Sequence, residues 1–381
     1  MQYAIGLYPM RNDRQLELRL KEAKSYLMNR AAEVESTLSE FWELKHSEWQ
    51  TFPSIIHDAF ELYDELTSGG KKLRAVLTIL GYEACRHNKS PNSEIEYGLQ
   101  RAAASVEILH NASLIHDDII DRSELRRGKT TIYRRYANRF ISLFSSNEEA
   151  THYGIALALN LGDQGQALAE QLLLSSGFPE GLLLRAVSLL GTTTSDTVVG
   201  QFLDLEHVTL DKITQDKILR IYEYKTARYT VQCPLMLGAI LADAPESVFE
   251  SIREFAIPIG IAFQIQDDIL GLFAVAKSKQ KTGDDDLKEG KKTILFELAY
   301  KEASAIDKQF LLSVHGNPRA THAEFLRVKD IITHTGARHA AKELAVRLAE
   351  KAMAVIPSIT SEPNSRNKLL LIAEYCIHRH D

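Results

Sequence analysis

Residues 113–131 read SLIHDDIIDRSELRRGKTT and place acids, bases and an apolar run side by side. Asp117 and Asp121 are four residues apart, so a helix presents them on one face, with Asp118 between them. Carboxylates at that spacing repel each other unless a cation lies between them. The stretch therefore predicts either a divalent metal ion or an arginine at the end of an apolar helix.

A second stretch, QIQDDILG at residues 264–271, repeats the pattern LIHDDIID of residues 114–121. Both read as apolar helices that end in paired aspartates, which predicts two walls of one cavity. The alternative is a helix end with solvated charges, and the apolar residues on both sides disfavour it. Carboxylates without neighbouring cysteines suit Mg²⁺, which binds one or two carboxylates and takes its other ligands from water and phosphates.

Helical periodicity dominates the rest of the chain. Apolar residues recur every three or four positions, as in residues 18–44 and 248–273, and the breaks between such segments are short. Of the 381 residues, 45% are hydrophobic and 25% charged, as in ordinary globular proteins, and only ten are proline. We predict an all-α protein, with a helical extension at residues 1–50 and one large domain at 51–381.

Composition excludes several classes of function. The net charge of −6 gives no support to a nucleic-acid surface. Cys85, Cys233 and Cys376 form no CxxC pair, which disfavours a zinc site or a disulfide framework and favours a reducing compartment. We find neither a secretory signal nor an apolar run near the roughly 18 residues of a membrane span. A cytoplasmic protein without a transmembrane segment is expected.

Basic residues form two clusters that suit phosphate. Arg126 and Arg127 follow the first aspartates, and their planar guanidinium groups can each give a phosphate two hydrogen bonds. The second cluster, GGKKLR at residues 69–74, follows a glycine turn that lets the backbone approach a ligand, without the spacing of a P-loop. Acids, metal and two separate basic clusters predict a site for two diphosphates.

Six blocks in a fixed order resemble the trans-isoprenyl diphosphate synthases, the polyprenyl synthetase family. They are GGKKLR (69–74), EILHNASLIHDDIIDRSELRRGKTT (107–131), GQFLDLE (200–206), YKTARYT (224–230), FQIQDDILG (263–271) and TGDDDLKEGKKT (282–293). The chain looks most like bacterial geranylgeranyl diphosphate synthases. The resemblance implies a single large helical bundle around a deep central cavity, the type I isoprenoid synthase fold, usually as a homodimer.

The resemblance also implies a reaction. Isopentenyl diphosphate is condensed head-to-tail with dimethylallyl, geranyl or farnesyl diphosphate to give an all-trans polyprenyl diphosphate. Three Mg²⁺ ions are expected, with Mn²⁺ as a possible substitute.

The same resemblance assigns roles to individual residues. The expected metal ligands or their supports are Asp117, Asp118, Asp121, Asp267, Asp268 and Asp286. The expected allylic diphosphate ligands are Arg126, Lys225 and Lys281, with Lys291 closing over the site. The expected isopentenyl diphosphate ligands are Gly70, Lys71, Arg74, His110 and Arg127, whereas Lys72 is not expected to bind. The expected catalytic groups around the reacting carbons are Lys225, Thr226, Gln201 and Gln264, and Asp204 is expected to orient a lysine.

The chain departs from the family pattern at two points. Gly271 stands where the second motif usually ends in aspartate, and we expect activity to survive this change. The glycine after Lys281 is displaced by one position, which affects where that lysine is placed. The acidic run at 283–286 partly compensates for Gly271 or is a solvated loop.

Product length depends on the residues just before the first aspartates. Ala112 and Ser113 are small, and in this family an aromatic residue there would stop growth at farnesyl diphosphate. One turn earlier, Ile108 and Leu109 are candidates for the floor of the cavity. We expect geranylgeranyl diphosphate, with a longer polyprenyl product or farnesyl diphosphate as alternatives.

Three other classes of protein fit the sequence less well. A class I terpene cyclase needs an NDxxSxxxE second motif and has no use for the isopentenyl clamp of Lys71, Arg74 and Arg127. A non-catalytic partner subunit of a prenyl synthase tends to lose aspartates of the first motif, and here all three remain. A helical scaffold without chemistry does not account for six ordered blocks.

Overall fold

The computed structural model describes residues 13–86, 92–209, 214–273, 287, 290–317 and 319–379. The α-helices are α1 Asp13–Glu48, α2 Ser54–Thr67, α3 Leu73–Cys85, α4 Ser93–Ile120, α5 Ile132–Phe140, α6 Asn147–Leu174, α7 Glu180–Thr209, α8 Gln215–Tyr222, α9 Cys233–Leu241, α10 Glu246–Phe273, α11 Ile294–Glu302, α12 Ala305–Val314, α13 His322–His334, α14 Ala337–Met353, α15 Ile356–Ile359 and α16 Pro363–His378. A 3₁₀ turn, Ile141–Leu143, follows α5, and a π-helical segment, Glu223–Gln232, joins α8 to α9. Strands β1 Leu125–Arg126 and β2 Lys129–Thr130 form a small antiparallel hairpin. The predicted all-α class is confirmed.

The helices pack around α10, which contacts the π-helical segment, α14 and α16. Helix α4 lies along α6, and α3 lies along α9. The α4–α6 approach is close because Gly165 has no side chain. A Cβ atom there would lie 1.7 Å from the Tyr63 hydroxyl and 2.9 Å from the Ala112 Cβ. This packing fixes the helix that carries the first aspartates.

Helix α1 shares the core of the bundle. Leu27, Val34 and Leu38 are buried, and the Trp42 indole Nε1 donates to the Thr67 Oγ1 at 2.8 Å. An ion pair between Arg19 and Glu374 joins α1 to the C-terminal helix α16. The predicted boundary near residue 50 falls between α1 and α2.

One helix within the described ranges, α10, is long and apolar enough to cross a membrane by length and composition. We predict no transmembrane segment, and within the described ranges α10 is the one weak candidate. However, 67% of the apolar window of α10 is buried against other helices. Core helices of soluble proteins pass the same test, so this is weak evidence for a membrane span.

Substitutions of two leucines of α1 test how much this helix contributes to the free energy of unfolding. Leu38 is 2% exposed and Leu44 is 51% exposed. Leu38→Ala should lower the free energy of unfolding by about 2–5 kcal/mol, because it leaves a cavity in the core. Leu44→Ala, the matched control, should change it by less than about 0.5 kcal/mol. Denaturant unfolding of both variants measures this, and equal effects would contradict the packing of α1.

Candidate active site

A cavity of about 220 Å³ lies between α4, α7, α8, the π-helical segment, α10 and the segment before α11. It brings together predicted residues from both aspartate stretches and from the lysine-bearing blocks. These are Asp117, Asp121, Asp204, Arg126, Lys225, Thr226, Gln264, Asp268 and Lys291. The two acidic helices therefore do form walls of one cavity.

The first aspartate stretch turns back on itself. Helix α4 ends at Ile120, Arg122 adopts a positive φ of 53°, and the β1–β2 hairpin returns Arg126 to the acids. The Arg126 Nε donates to the Asp118 Oδ1 at 2.7 Å, and its guanidinium lies 3.5 Å from the Asp117 Oδ2. Asp118 is buried, and its carboxylate anchors Arg126. Arg126 thus lies between Asp117 and Asp118, whereas the Asp121 carboxylate pairs with Lys291.

Two lysines face the same acids. The Lys225 Nζ lies 2.5 Å from the Asp204 Oδ2 and 3.7 Å from the Asp117 Oδ1. Burial opposes the charge of Lys225, but Asp204 and Asp117 together raise its pKa above the ordinary value. The Lys291 Nζ lies 2.7 Å from the Asp121 Oδ2. The contact of Lys225 with Asp204 is the one expected if Asp204 orients a lysine.

Helix α7 approaches the π-helical segment closely at Gly200. A Cβ atom there would lie 2.4 Å from the Lys225 backbone nitrogen. Any side chain at this position would therefore push Lys225 away from the acids. The close approach also places Asp204, one turn further along α7, beside the lysine.

The second aspartate pair splits between two environments. Asp268 is buried and its Oδ1 accepts the Gln264 amide at 2.9 Å, while the Gln264 Oε1 accepts the Thr226 hydroxyl at 2.9 Å. Asp267 is not among the residues that line the cavity, and it forms an ion pair with Arg379 after α16. Of the two aspartates, only Asp268 lines the cavity that contains Lys225 and Lys291.

The backbone of the GGKKLR turn has the conformation that its glycines predict. Gly69 and Gly70 have φ of 70° and 79°, a region that other residues rarely adopt. A Cβ atom on Gly70 would lie 4.0 Å from the Arg127 guanidinium, so this turn lies beside the first basic cluster. Lys72 is buried and its Nζ lies 2.6 Å from the Glu35 carboxylate, which agrees with its exclusion from binding.

Two further residues of the predicted isopentenyl diphosphate site, Arg74 and His110, contact Tyr229. The Arg74 guanidinium lies 4.5 Å from the Tyr229 ring centre and donates to the Thr230 hydroxyl at 2.9 Å. His110 Nδ1 and the Tyr229 hydroxyl are hydrogen bonded. Burial first, then nearby arginines led by Arg74, hold the pKa of His110 well below its ordinary value. A neutral histidine beside clustered guanidinium groups leaves this region positive and suits an anion.

Positive charge is also concentrated at Arg127. Burial and the neighbouring Arg126 lower the pKa of Arg127, although Glu107 opposes them. Lys71 lies with its Nζ 5.3 Å from the ring centre of Tyr375 on α16. The predicted isopentenyl clamp therefore combines the turn before α3 with α3, α4 and the β1–β2 hairpin, next to the C-terminal helix.

Sequence reasoning missed three residues that support these groups. The Glu107 Oε1 accepts the Ala75 N–H at 3.1 Å and so caps α3, which lacks a side-chain cap of its own. The sequence signal for Glu107 was that it is a lone acidic residue in the apolar run before the first aspartates. The Tyr222 hydroxyl donates to Asp268, and Arg379 pairs with Asp267. Neither has a local sequence signal, because each acts through a distant helix.

Some predicted residues lie elsewhere. Gln201 is not among the cavity-lining residues, and its Nε2 has no hydrogen-bond partner within the part of the chain that the structure describes. Ala112 is fully buried at the α4–α6 contact, whereas Ser113 is half-buried and its hydroxyl donates to the Leu109 carbonyl at 3.1 Å. Lys281 and Asp286 lie outside the described residues.

The carboxylates fit a metal that relies on its substrate for ligands. Across the described ranges, no group of three or more His, Cys, Asp or Glu side chains is close enough to hold an ion alone. Asp117 and Asp121 instead each face a lysine or arginine across the cavity. This donor set suits Mg²⁺, which uses few carboxylates and completes its shell with water and phosphate oxygens.

Comparisons with known proteins agree with this geometry. A family model described as polyprenyl synthetase matches residues 58–332. The chain is 32% identical to a geranylgeranyl pyrophosphate synthase of Geoglobus acetivorans, over 82% of this chain and 88% of that protein. It is 29% identical to a geranylgeranyl diphosphate synthase of Saccharolobus solfataricus, over 89% and 94%. Other matches are named farnesyl and geranylfarnesyl diphosphate synthases.

Solved structures agree as well. A geranylgeranyl pyrophosphate synthase from Corynebacterium glutamicum, complexed with isoprenyl diphosphate and magnesium, superposes with a TM-score of 0.84. The two chains are 26% identical, and the match covers 93% of this chain and 99% of that one.

His207 at the cavity wall makes stability depend on pH. It is 4% exposed, and burial lowers its pKa to about 4 despite the nearby Asp204. The pKa of histidine in the unfolded chain is near 6.5. The stability that comes from burying neutral His207 is therefore complete above about pH 6.5 and is lost as the pH falls towards 4. His207→Gln removes this ionisable group. Between pH 7.5 and 5, the free energy of unfolding of the variant should therefore fall by about 2 kcal/mol less than that of the wild type.

The control for this prediction is His339→Gln, which changes a histidine whose side chain is 80% exposed. It should leave the pH dependence of denaturant unfolding as in the wild type. If the free energy of unfolding of the His207 variant changed with pH as it does in the wild type, the prediction would be contradicted.

Proposed function

Because this chain belongs to the polyprenyl synthetase family and is a prenyltransferase, we propose that it makes geranylgeranyl diphosphate from isopentenyl and allylic diphosphates. The observation that carries the proposal is the pairing of two cationic regions with one acidic cavity. Arg126, Lys225 and Lys291 face the aspartates, and a second cluster around Arg74 lies beside them. A synthase that joins two diphosphates needs both regions.

The allylic diphosphate binds against the cations of the cavity. Its C–O bond breaks with the electron pair leaving on the diphosphate, and Arg126 and Lys225 stabilise the negative charge that develops there. The Thr226 and Gln264 oxygens lie beside the lysine and stabilise the carbocation that remains.

Isopentenyl diphosphate binds at the second cationic cluster. Lys71, Arg74 and Arg127 hold its diphosphate, with the neutral His110 as a hydrogen-bonding neighbour. Its double bond attacks the allylic cation, and the new tertiary cation then loses a proton. The departed diphosphate accepts that proton, as the resemblance to the family implies.

Asp117, Asp121 and Asp268 are the residues that we assign to divalent metal, with Asp118 holding Arg126 in place. Asp267 pairs with Arg379 through one oxygen, Oδ1, and can join them through the other. Mg²⁺ bound there supplies positive charge to the departing diphosphate. Three ions are proposed, with Mn²⁺ able to replace Mg²⁺.

Elongation assays test this function. The protein is incubated with Mg²⁺, labelled isopentenyl diphosphate and each allylic primer, and the products are sized. We expect geranylgeranyl diphosphate, and Asp117→Asn should lower kcat at least about 100-fold because it removes charge from the cavity. Asp163→Asn, which alters an acid that is 76% exposed, is the control and should leave kcat unchanged.

Absence of any elongation by the wild type would refute the synthase proposal and leave a partner subunit as the alternative. A cyclised hydrocarbon from an allylic diphosphate alone would instead identify a terpene cyclase.

Product length is proposed to depend on Ser113. It lies one helical turn before Asp117 on the same face of α4, and it is half-buried. Ser113→Phe should shorten the main product to farnesyl diphosphate without abolishing turnover, because the ring would block the path of the growing chain. Ser113→Ala is the control and should keep the wild-type product. An unchanged product from the phenylalanine variant would mean that the hydrocarbon runs elsewhere.

A homodimer is proposed on the apolar surface of α7. Phe202, Val198 and Leu205 are 67%, 49% and 46% exposed and lie on neighbouring turns of this helix. Phe202→Glu should convert a dimer to a monomer in sedimentation experiments, because it places a charge in the centre of the apolar surface. The surface variant Glu180→Gln is the control. A monomeric wild type would contradict the proposal.

Localisation and domain limits are proposals of the same kind. The three cysteines are buried and free, which supports a reducing compartment such as the cytoplasm. The described residues assigned to substrate and metal all lie between Gly70 and Lys291, within the proposed catalytic domain 51–381. Cell fractionation tests the first proposal, and recovery of the protein in the membrane pellet would contradict it.

A further inference from the structure

We propose that Tyr222 is a positioning residue of the allylic diphosphate site, which acts by joining the second aspartate motif to the segment that carries Lys291. The inference rests on the proposed function, because it concerns how that site is held. Tyr222 belongs to none of the six sequence blocks. Its hydroxyl nevertheless lies at the junction of three parts of the site.

The Tyr222 side chain is buried, and its hydroxyl has a partner on each side. It donates to the Asp268 Oδ2 and accepts the Ile294 backbone N–H at 3.0 Å. Tyr222 is the last residue of α8, Asp268 lies in α10, and Ile294 is the first residue of α11. One hydroxyl group therefore connects three elements that are distant in sequence.

On one side, the connection reaches the groups beside the reacting carbons. Asp268 uses its other oxygen to accept the Gln264 amide, and this fixes which way the amide faces. The Gln264 Oε1 can then accept from the Thr226 hydroxyl. The orientation of two proposed catalytic side chains thus depends on where the Asp268 carboxylate is held.

On the other side, the connection reaches the first aspartate motif. Ile294 is three residues after Lys291, and the intervening Lys292 is buried and Thr293 caps α11. The backbone has little freedom between the fixed Ile294 N–H and the Lys291 Cα. Holding Ile294 therefore sets how far the Lys291 ammonium reaches towards Asp121.

A phenylalanine at position 222 would fill the same space without making either contact. The Ile294 N–H and one oxygen of Asp268 would each lose a partner in a buried setting, which is costly for polar groups. A residue with a purely packing role would tolerate this change. A residue that positions the site would alter how the allylic substrate binds and leave the isopentenyl clamp intact.

The main test compares Tyr222→Phe with Tyr136→Phe, which alters a buried tyrosine of α5 outside the site. The KM of each substrate is measured, and calorimetry follows the binding of an unreactive allylic thiolodiphosphate with Mg²⁺. We expect Tyr222→Phe to weaken the analogue and raise the allylic KM about tenfold, with the isopentenyl KM unchanged. Unchanged allylic binding, or equal changes for both substrates, would overturn the inference.

A double-mutant cycle tests the connection itself. If Tyr222 acts through the Lys291 segment, Tyr222→Phe should have a much smaller effect on allylic binding in a Lys291→Gln background than in the wild type. Independent, additive effects of the two substitutions on analogue binding would overturn the coupling.

Hydrogen exchange on the wild type provides a test that does not depend on a variant folding. The Ile294 amide should be protected, and protection of residues 290–294 should increase with Mg²⁺ and the thiolodiphosphate but not with isopentenyl diphosphate. Fast exchange at Ile294 would contradict the hydrogen bond to Tyr222. Product formation by the same preparation tests the proposed function separately, so failure of one is distinguishable from failure of the other.

Discussion

Repulsion between carboxylates in one cavity is the constraint on which this structure depends. Two unit charges about 4 Å apart interact by about 4 kcal/mol near a protein surface, so several aspartates cannot share a cavity without cations. The chain supplies Arg126, Lys225 and Lys291, which contact Asp118, Asp204 and Asp121. The same three cations are the groups that a bound diphosphate would attract, so the protein meets a folding requirement with its binding residues.

The fold brings these charges together from distant parts of the chain. Close contacts without side chains, such as Gly200 against the Lys225 backbone, allow the helices to approach. The surrounding helices leave the side chains of these pairs no more than 28% exposed, which strengthens each pair. Polar groups from other helices then hold the site, as Glu107 does by capping α3 and Tyr222 by contacting Asp268.

Helical periodicity predicted the helical class and spacing on a helix predicted that the first aspartates share a face, whereas most other cavity residues were implied by the family resemblance. Asp117 and Asp121 meet for that reason, and the glycine turn at Gly70 has the positive φ that its composition predicts. The separation of Asp267 from Asp268 was not predictable, since it depends on Arg379 arriving from the C-terminal helix. The outlying position of Gln201 and the buried contact of Ala112 with α6 likewise depend on how whole helices pack.

We propose that Arg126, Lys225 and Lys291 hold the aspartates until metal and diphosphate replace them. A crystal structure with Mg²⁺ and an unreactive allylic diphosphate tests it most directly. We predict that the Lys291 ammonium will leave Asp121, now 2.7 Å away, to contact a phosphate oxygen, with metal on the freed carboxylate. A complex in which Lys291 still pairs with Asp121 and metal and diphosphate bind elsewhere would contradict the account.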